Sequence, residues 1–394
     1  MTISKMNNFK KRKLGGFDSI KGIGAIGIGD IVGKSIAGVF WIYVASVLTP
    51  EEFGEISYLM SIAATCSIFA AIGAQNTITT FTAKKIELVK TLSIISIISS
   101  IFGSVVLLLL FERLDIGILA IGFVLNNLVI GNLLGRKKFS TYSILQALQK
   151  VLVIILGLIA IHLFSYEGLI FALAFSYLIF IIGTFRILKE TEFNWNLLKQ
   201  KWKFIANNYL IRVLGSLGNQ VDKILVMPLL GAAILGNYSL GLQVLVVCNS
   251  ISTIIFKFIL PYDSTNVSTQ QVKKYLIIIS VGIAALGYFL LPEIMPILFP
   301  EYSGATHAIQ ILVLEVIPSS FLVIFSSKFL SLEKTGILLV SNGVALTTMI
   351  VGVISLGTIY GITGLFLTMV LSTTFNALVL ILYYKKLGYN FSDI

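Results

Sequence analysis

Apolar runs of about 20 residues recur along the whole chain, separated by short polar joints. A run of that length crosses the hydrocarbon core of a bilayer as one α-helix. The pattern predicts twelve such helices, near residues 22–48, 55–80, 90–111, 115–134, 141–163 and 167–188, then 204–230, 233–259, 274–292, 304–327, 335–356 and 360–383. This is an all-α polytopic membrane protein. Lys and Arg fall in alternate joints: Lys5 to Lys21, Lys84 to Lys90, Arg136 to Lys138, Arg186 to Lys203, Lys257 to Lys274, Lys328 and Lys334, and Lys385 and Lys386. The intervening joints hold Glu51, Glu52, Glu55, Glu112, Asp115, Glu167, Glu293 and Glu301, with Arg113 as their only basic residue. Basic residues stay on the cytoplasmic side, so both termini are expected there. The longest acidic-side joint, Leu291 to Gly304, leaves no room for an extracytoplasmic domain.

The longest basic joint, residues 189–203, separates two sets of six spans. The expected organisation is a lobe at 1–188 that begins with a basic arm at 1–21, this linker, and a second lobe at 204–394. The linker mixes Phe193, Trp195 and Trp202 with Lys199, Lys201 and Lys203, the composition of an amphipathic helix lying on an anionic membrane surface. The two halves repeat each other. Val47 to Leu59 lies over Leu229 to Gly241 at an offset of 182, with Gly54 on Gly236, Ser57 on Ser239 and, in the next helix, Cys66 on Cys248. An even number of helices per half makes the repeats parallel, related by a pseudo-two-fold axis along the membrane normal. A cavity on that axis is the natural substrate site.

Composition agrees: 57% of residues are hydrophobic, 12% are charged, and the mean hydropathy is +0.96. The net charge of +11 comes from the joints, which marks topology and excludes nucleic acid as a partner. The basic N-terminal arm lacks the short apolar core and cleavage site of a signal peptide, so it is expected to stay attached. Cys66 and Cys248 lie inside apolar runs and indicate neither a disulfide framework nor a thiolate metal site. His162 and His307 sit near helix ends with too few potential ligands around them for a metal. Gly22 to Gly27 spells GxGxxG, but no strand precedes it, and its glycines suit close helix packing or a bend.

The candidate chemistry lies in charges at membrane depth. In the seventh span Arg212, Ser216, Asn219 and Lys223 fall at helical offsets of 0, 4, 7 and 11, on one stripe. A Lys or Arg in hydrocarbon costs roughly 2.5–3.5 kcal/mol even on the mildest scale, so the stripe should line a water-filled or ligand-filled cavity. At the repeat offset Asp30 and Lys34 of the first span correspond to Arg212 and Ser216. Spaced i, i+4, Asp30 and Lys34 can equally pair with each other. Lys150, with Gln146 and Ser143 on one face of the fifth span, either joins the cavity or snorkels to the interface. Lys34, Lys150 and Arg212 together would form a basic pocket, each cation supplying about 4 kcal/mol of Coulomb attraction to an anion at ~4 Å before desolvation. Asp30, Asp222 and Glu315 are the acids at membrane depth; each either couples transport to H+ or Na+ or balances a neighbouring lysine. No other cofactor is expected. Asn126, Gln146, Gln243 and Asn342 are dispersed polar groups of the kind that read sugars.

Three stretches carry a family likeness: Gly33 to Ala63, Asn219 to Leu240 and Ile297 to Leu312. On them the chain resembles the multidrug/oligosaccharidyl-lipid/polysaccharide exporter superfamily, and more narrowly the O-antigen and capsule repeat-unit flippases called Wzx. The resemblance implies two six-helix bundles arranged as a V in a bacterial cytoplasmic membrane. It implies alternating access that moves an undecaprenyl-pyrophosphate-linked oligosaccharide from the inner to the outer leaflet, without covalent chemistry, for surface polysaccharide synthesis. Membrane lipids, a polysaccharide polymerase and a chain-length regulator are the partners it implies. Basic residues of the first and seventh spans often hold the pyrophosphate in such proteins; here those are Lys34 and Arg212. A cation-coupled multidrug exporter of the same superfamily would favour an acidic cavity over this basic one. A membrane glycan polymerase or glycosyltransferase would need a large outer loop, which this chain lacks.

Overall fold

A computed structural model describes residues 37–72, 75–190, 192–264, 269–306, 308–332 and 334–388. The first half contains α1 (Ala37–Val47), α2 (Pro50–Ala70), α3 (Gln75–Ala83), α4 (Val89–Phe111), α5 (Leu114–Gly135), α6 (Phe139–Phe164), α7 (Gly168–Ser176) and α8 (Ile179–Glu190). The second contains α9 (Trp195–Leu217), α10 (Val221–Leu230), α11 (Ala232–Cys248), α12 (Ser250–Ser264) and α13 (Gln270–Leu298). It ends with α14 (Ser303–Thr306), α15 (Ile309–Val313), α16 (Val316–Ser331), α17 (Thr335–Gly352) and α18 (Thr358–Lys386). Eight helices among the described residues are long and apolar enough to cross a membrane, or nine if α11 and α12, bent by 45°, form one span. One of these runs, Thr335–Lys386, folds back on itself at Gly361, where φ is +59°, so that α17 and α18 pair as a hairpin. The first 15 residues of the expected first span, 22–36, lie outside the described residues.

Several expected helices are broken, for local reasons. The seventh span does not run unbroken from 204 to 230: it stops at Leu217 and restarts at Val221. Gly215 and Gly218 weaken the helix there, and the side chains of Asn219 and Gln220 compete for backbone hydrogen bonds. The tenth is interrupted beside Glu315, because Pro318 has no N–H for the Leu314 carbonyl four residues back. At the linker, residues 195–203 form no element of their own. They are the first turns of α9, started by the Asn194 side chain, which accepts from Leu197 N–H at 2.9 Å. Leu198 and Ile205 bury into the first-half core, while Trp195 and Trp202 stay half exposed beside Lys199, Lys201 and Lys203.

The halves meet where the acidic joints lie. A capping box opens α2: Thr49 N–H donates to Glu52 at 2.9 Å, and the Thr49 hydroxyl accepts from Glu52 N–H at 3.3 Å. From there α2 runs along α11, the most extensive helix contact between the halves. A Cβ placed on Gly54 would collide with the Ala232 carbonyl and reach within 2.8 Å of Gly236 N. One placed on Gly236 would collide with the Pro50 carbonyl. The offset of 182 carries Pro50 to Ala232 and Gly54 to Gly236, so this contact is reciprocal about the pseudo-two-fold axis. Around it one core draws on both halves, with Phe53 and Ile56 packed among Leu240, Met295, Phe299, Tyr302 and Ile309. The buried Tyr302 hydroxyl donates to the Leu48 carbonyl at 3.0 Å. Burial, with Glu301, Glu52 and Glu51 nearby, pushes its pKa up, so it remains a donor. Arg113 is absorbed at the same end, bidentate to Asp115 at 2.7 and 3.2 Å and 3.7 Å from Glu55.

Toward the basic end the cores part. One combines first-half residues with α9, and another, Phe325, Phe329, Leu380 and Tyr384, belongs to the second half alone. Apart from α9, which packs on the first half, the two halves keep separate cores at this end, and that parting makes the V. At that basic end Lys273 and Asp263 form a buried ion pair at 2.8 Å; Thr269 and Ser327 each add a hydrogen bond to the carboxylate at 2.7 Å.

Gly54→Val or Gly236→Val should force α2 and α11 apart. The expected loss is about 1–3 kcal/mol, seen as a fall of several degrees in melting temperature. Gly343→Ala, where nothing lies within 4 Å, is the unchanged control. Lys273→Met, which strands the Asp263 charge, should cost about 3 kcal/mol in the same measurement, and adding Asp263→Asn should recover part of it.

Candidate functional site

Polar side chains at membrane depth gather where helices break or cross between halves. Arg212 is in the last two turns of α9, half-buried, and faces α5. Its Nη2 donates to Asn127 Oδ1 at 3.0 Å, and its Nε is buried without a partner. Asn127 is fixed in turn, because its Nδ2 donates to the Phe123 carbonyl at 2.8 Å. The adjacent Asn126, about 100° further round α5, accepts from Gln146 of α6 at 3.3 Å. One turn beyond Gln146 lies Lys150. A polar track therefore runs from Arg212 through the two asparagines and Gln146 to Lys150, drawing on α9, α5 and α6.

Lys150 has no hydrogen-bond or ion-pair partner among the described residues. It lines a cavity of about 70 Å³ within the first half, shared with Phe40, Trp41, Met60, Gln149 and Tyr177. Gln149 is buried and donates to Ser176 at 3.1 Å. An unpaired ammonium at that depth is the kind of group that waits for an anion or for water.

The rest of the expected stripe is divided by the break in the seventh span. Ser216 remains half-buried on the last turn of α9, one turn beyond Arg212, and Asn219 is exposed in the break itself. Lys223 serves that break: its Nζ donates to the Asn219 carbonyl at 3.1 Å and lies 3.8 Å from Asp222. Lys223 thus lies at the carbonyl end of α9 and Asp222 in the first turn of α10, where each charge has the sign that complements the helix end. Asp222 is buried and accepts from the Tyr238 hydroxyl at 2.9 Å. The unbroken stripe of four is thus corrected to Arg212 and Ser216 on one helix, with Lys223 tied to the junction. Asp30, Lys34 and His307 lie outside the described residues.

Glu315 is buried inside the second half, beside the break between α15 and α16. It accepts from Asn249 at 2.8 Å, at the bend between α11 and α12, with Thr373 of α18 beside it. Asn249 Oδ1 is buried without a partner. Three helices thus converge on one carboxylate held entirely by neutral donors. Sequence reasoning picked out Arg212, Lys150 and Glu315 by charge and missed Asn127, Asn249 and Thr373, whose neutral side chains give no such signal. The sole available hint was the pairing of Asn126 with Asn127 in an apolar span.

The polysaccharide biosynthesis protein family has a model that matches residues 19–267, well over half of the chain. The chain belongs to that family. This member of the polysaccharide biosynthesis protein family shares its fold with solved transporters. One, described as the inward-facing conformation of a multidrug resistance MATE family transporter of the MOP superfamily, matches at a TM-score of 0.67 and 15% identity, over 90% of this chain and 94% of its own. Another, the lipid II flippase MurJ in an inward closed conformation, matches at 0.72 and 10% identity, over 93% of this chain and 88% of its own. No curated protein matches the sequence. The family member described here thus has the fold of these two transporters.

Asp222→Ala should leave the buried Tyr238 hydroxyl unpaired and lower stability by about 1–3 kcal/mol. Lys223→Ala, which removes an end-of-helix contact, should cost less than about 1 kcal/mol in the same unfolding measurement.

Proposed function

We propose that this transporter flips an undecaprenyl-pyrophosphate-linked oligosaccharide repeat unit from the inner to the outer leaflet of a bacterial cytoplasmic membrane, for O-antigen, capsule or exopolysaccharide synthesis. The observation that carries the reading is Arg212: a guanidinium at membrane depth, between the halves, with a buried donor and, among the described residues, no acid paired to it. Arginine offers five donors in a planar fork suited to phosphate oxygens, and a lipid pyrophosphate supplies those oxygens. Lys150, at the other end of the polar track, adds a second cation, one without a partner among the described residues. Ser216 and Lys34, one turn from these cations or on the first span, would complete the anionic site, while Asn219 and Lys223 bound it at the junction.

The basic joints favour a cytoplasmic position for the parted ends of the halves and for both termini. A substrate then enters between residues 1–188 and 204–394 from the cytoplasmic leaflet, with its lipid tail in the bilayer. Rocking of the halves about the contact of α2 and α11 would expose the glycan outside. Glu315 is suited to bind H+ or Na+ and so to link rocking to an ion gradient; Asp30 and Asp222 are the further acids at membrane depth, Asp222 being already bonded to Tyr238. A polymerase and a chain-length regulator would take the product on the outer side.

A cation-coupled multidrug exporter is the second reading, and Glu315 is the observation that favours it. Arg212→Ala separates the two. In a host that depends on this protein, the variant should accumulate lipid-linked repeat units on the inner leaflet and reduce surface polysaccharide at least about tenfold, the scale of one charge-assisted bond. Arg212→Lys should retain part of the activity. Normal polysaccharide with altered drug resistance would support the exporter.

A further inference from the structure

Asn126 and Asn127 sit side by side and half-buried on α5, a helix whose buried positions are, Asp115 and Asn132 apart, apolar or glycine. Each accepts a hydrogen bond from a different helix: Asn126 from Gln146 of α6, and Asn127 from Arg212 of α9. The second contact crosses from the first half of the chain to the second. Its geometry is preset, because the Asn127 amide already donates to the Phe123 carbonyl at 2.8 Å, which turns its oxygen toward the guanidinium. Among the described residues one donor of Arg212 is used, and the buried Nε has no partner. A second α9 contact across the halves lies one turn away, where the Tyr209 hydroxyl donates to the Phe69 carbonyl at 2.9 Å.

We propose that Asn127 is a positioning residue for Arg212: it holds one edge of the guanidinium and leaves the remaining donors set for a phosphate-type oxyanion. A neutral acceptor suits this role. It fixes a long side chain without cancelling its charge, so the ordering of that side chain is complete before the anion arrives. A carboxylate in its place would take up the charge itself. Because Asn127 stands on one half and Arg212 on the other, the hold lasts only while α5 and α9 stay together. A bound anion is therefore gripped in this arrangement of the halves and loosened in one that separates them. The inference rests on the reading of Arg212 as the anion anchor.

The test uses the full chain in nanodiscs of fixed lipid composition and two probes, undecaprenyl pyrophosphate and uncharged undecaprenol. Asn127→Ala should weaken binding of the pyrophosphate about tenfold and leave undecaprenol unchanged. Asn127→Asp should weaken pyrophosphate binding at least as much, although aspartate is the stronger acceptor; recovery to wild-type affinity would show that only a structural bond matters and would overturn the proposal. Asn127→Ala combined with Arg212→Ala should be no worse than Arg212→Ala alone, the signature of one acting through the other. Wild-type affinity in Asn127→Ala, with a loss in Arg212→Ala, removes Asn127 from the site and leaves the anchor in place. Unchanged affinity in Arg212→Ala removes the anchor itself. Should the alanine variant fail to fold, Asn127→Ser, whose oxygen is too short to keep the 3.0 Å contact, gives the same comparison.

Discussion

Everything in this structure hinges on two glycines that face each other with no side chain between them. Gly54 and Gly236 let the backbones of α2 and α11 touch, and the reciprocal positions Pro50 and Ala232 close the contact from either side. Small residues allow the close approach that membrane helices need, since bilayer lipid gives no hydrophobic drive for apolar helices to associate. The contact also fixes the axis. Two halves that touch at a reciprocal point near one membrane surface diverge toward the other, and the cores follow that divergence, shared at the acidic end and, apart from α9, separate at the basic end.

The cost of placing charge in a membrane explains where the interior polar groups lie. Asp222 and Lys223 occupy a helix junction whose free N–H and carbonyl groups match their signs. Glu315 sits where a proline interrupts one helix and a bend interrupts another, so neutral donors can reach it. Arg212 and Lys150 differ. No helix end satisfies them and no acid pairs with them among the described residues.

Much of this could be read from the sequence, because hydrophobic length and the placement of Lys and Arg are one-dimensional signals. The repeat was legible for the same reason: Gly54 and Gly236 fall in register at a single offset, and the contact between them is the physical form of that register. The breaks were not legible. A span interrupted at Gly218 has the same hydropathy as an unbroken one, and only the local competition of glycine, asparagine and glutamine with the backbone stops it. That one interruption reassigned Lys223 from the cavity to the junction. Asn127 was hidden for another reason, since a neutral amide is informative only through the residue it meets.

The fusion of the linker to α9 has a mechanical consequence. A helix of 23 residues is a rod about 35 Å long, and a rod cannot tilt at one end alone. Its first turn carries Trp195, its second and third Lys199 and Trp202, all of them residues that prefer the headgroup layer. Its far end carries Arg212. Any swing that carries the arginine across the bilayer must therefore drag tryptophans through the headgroups, so the membrane itself acts as a spring on the lever, and its thickness and surface charge set the stiffness against which the halves move.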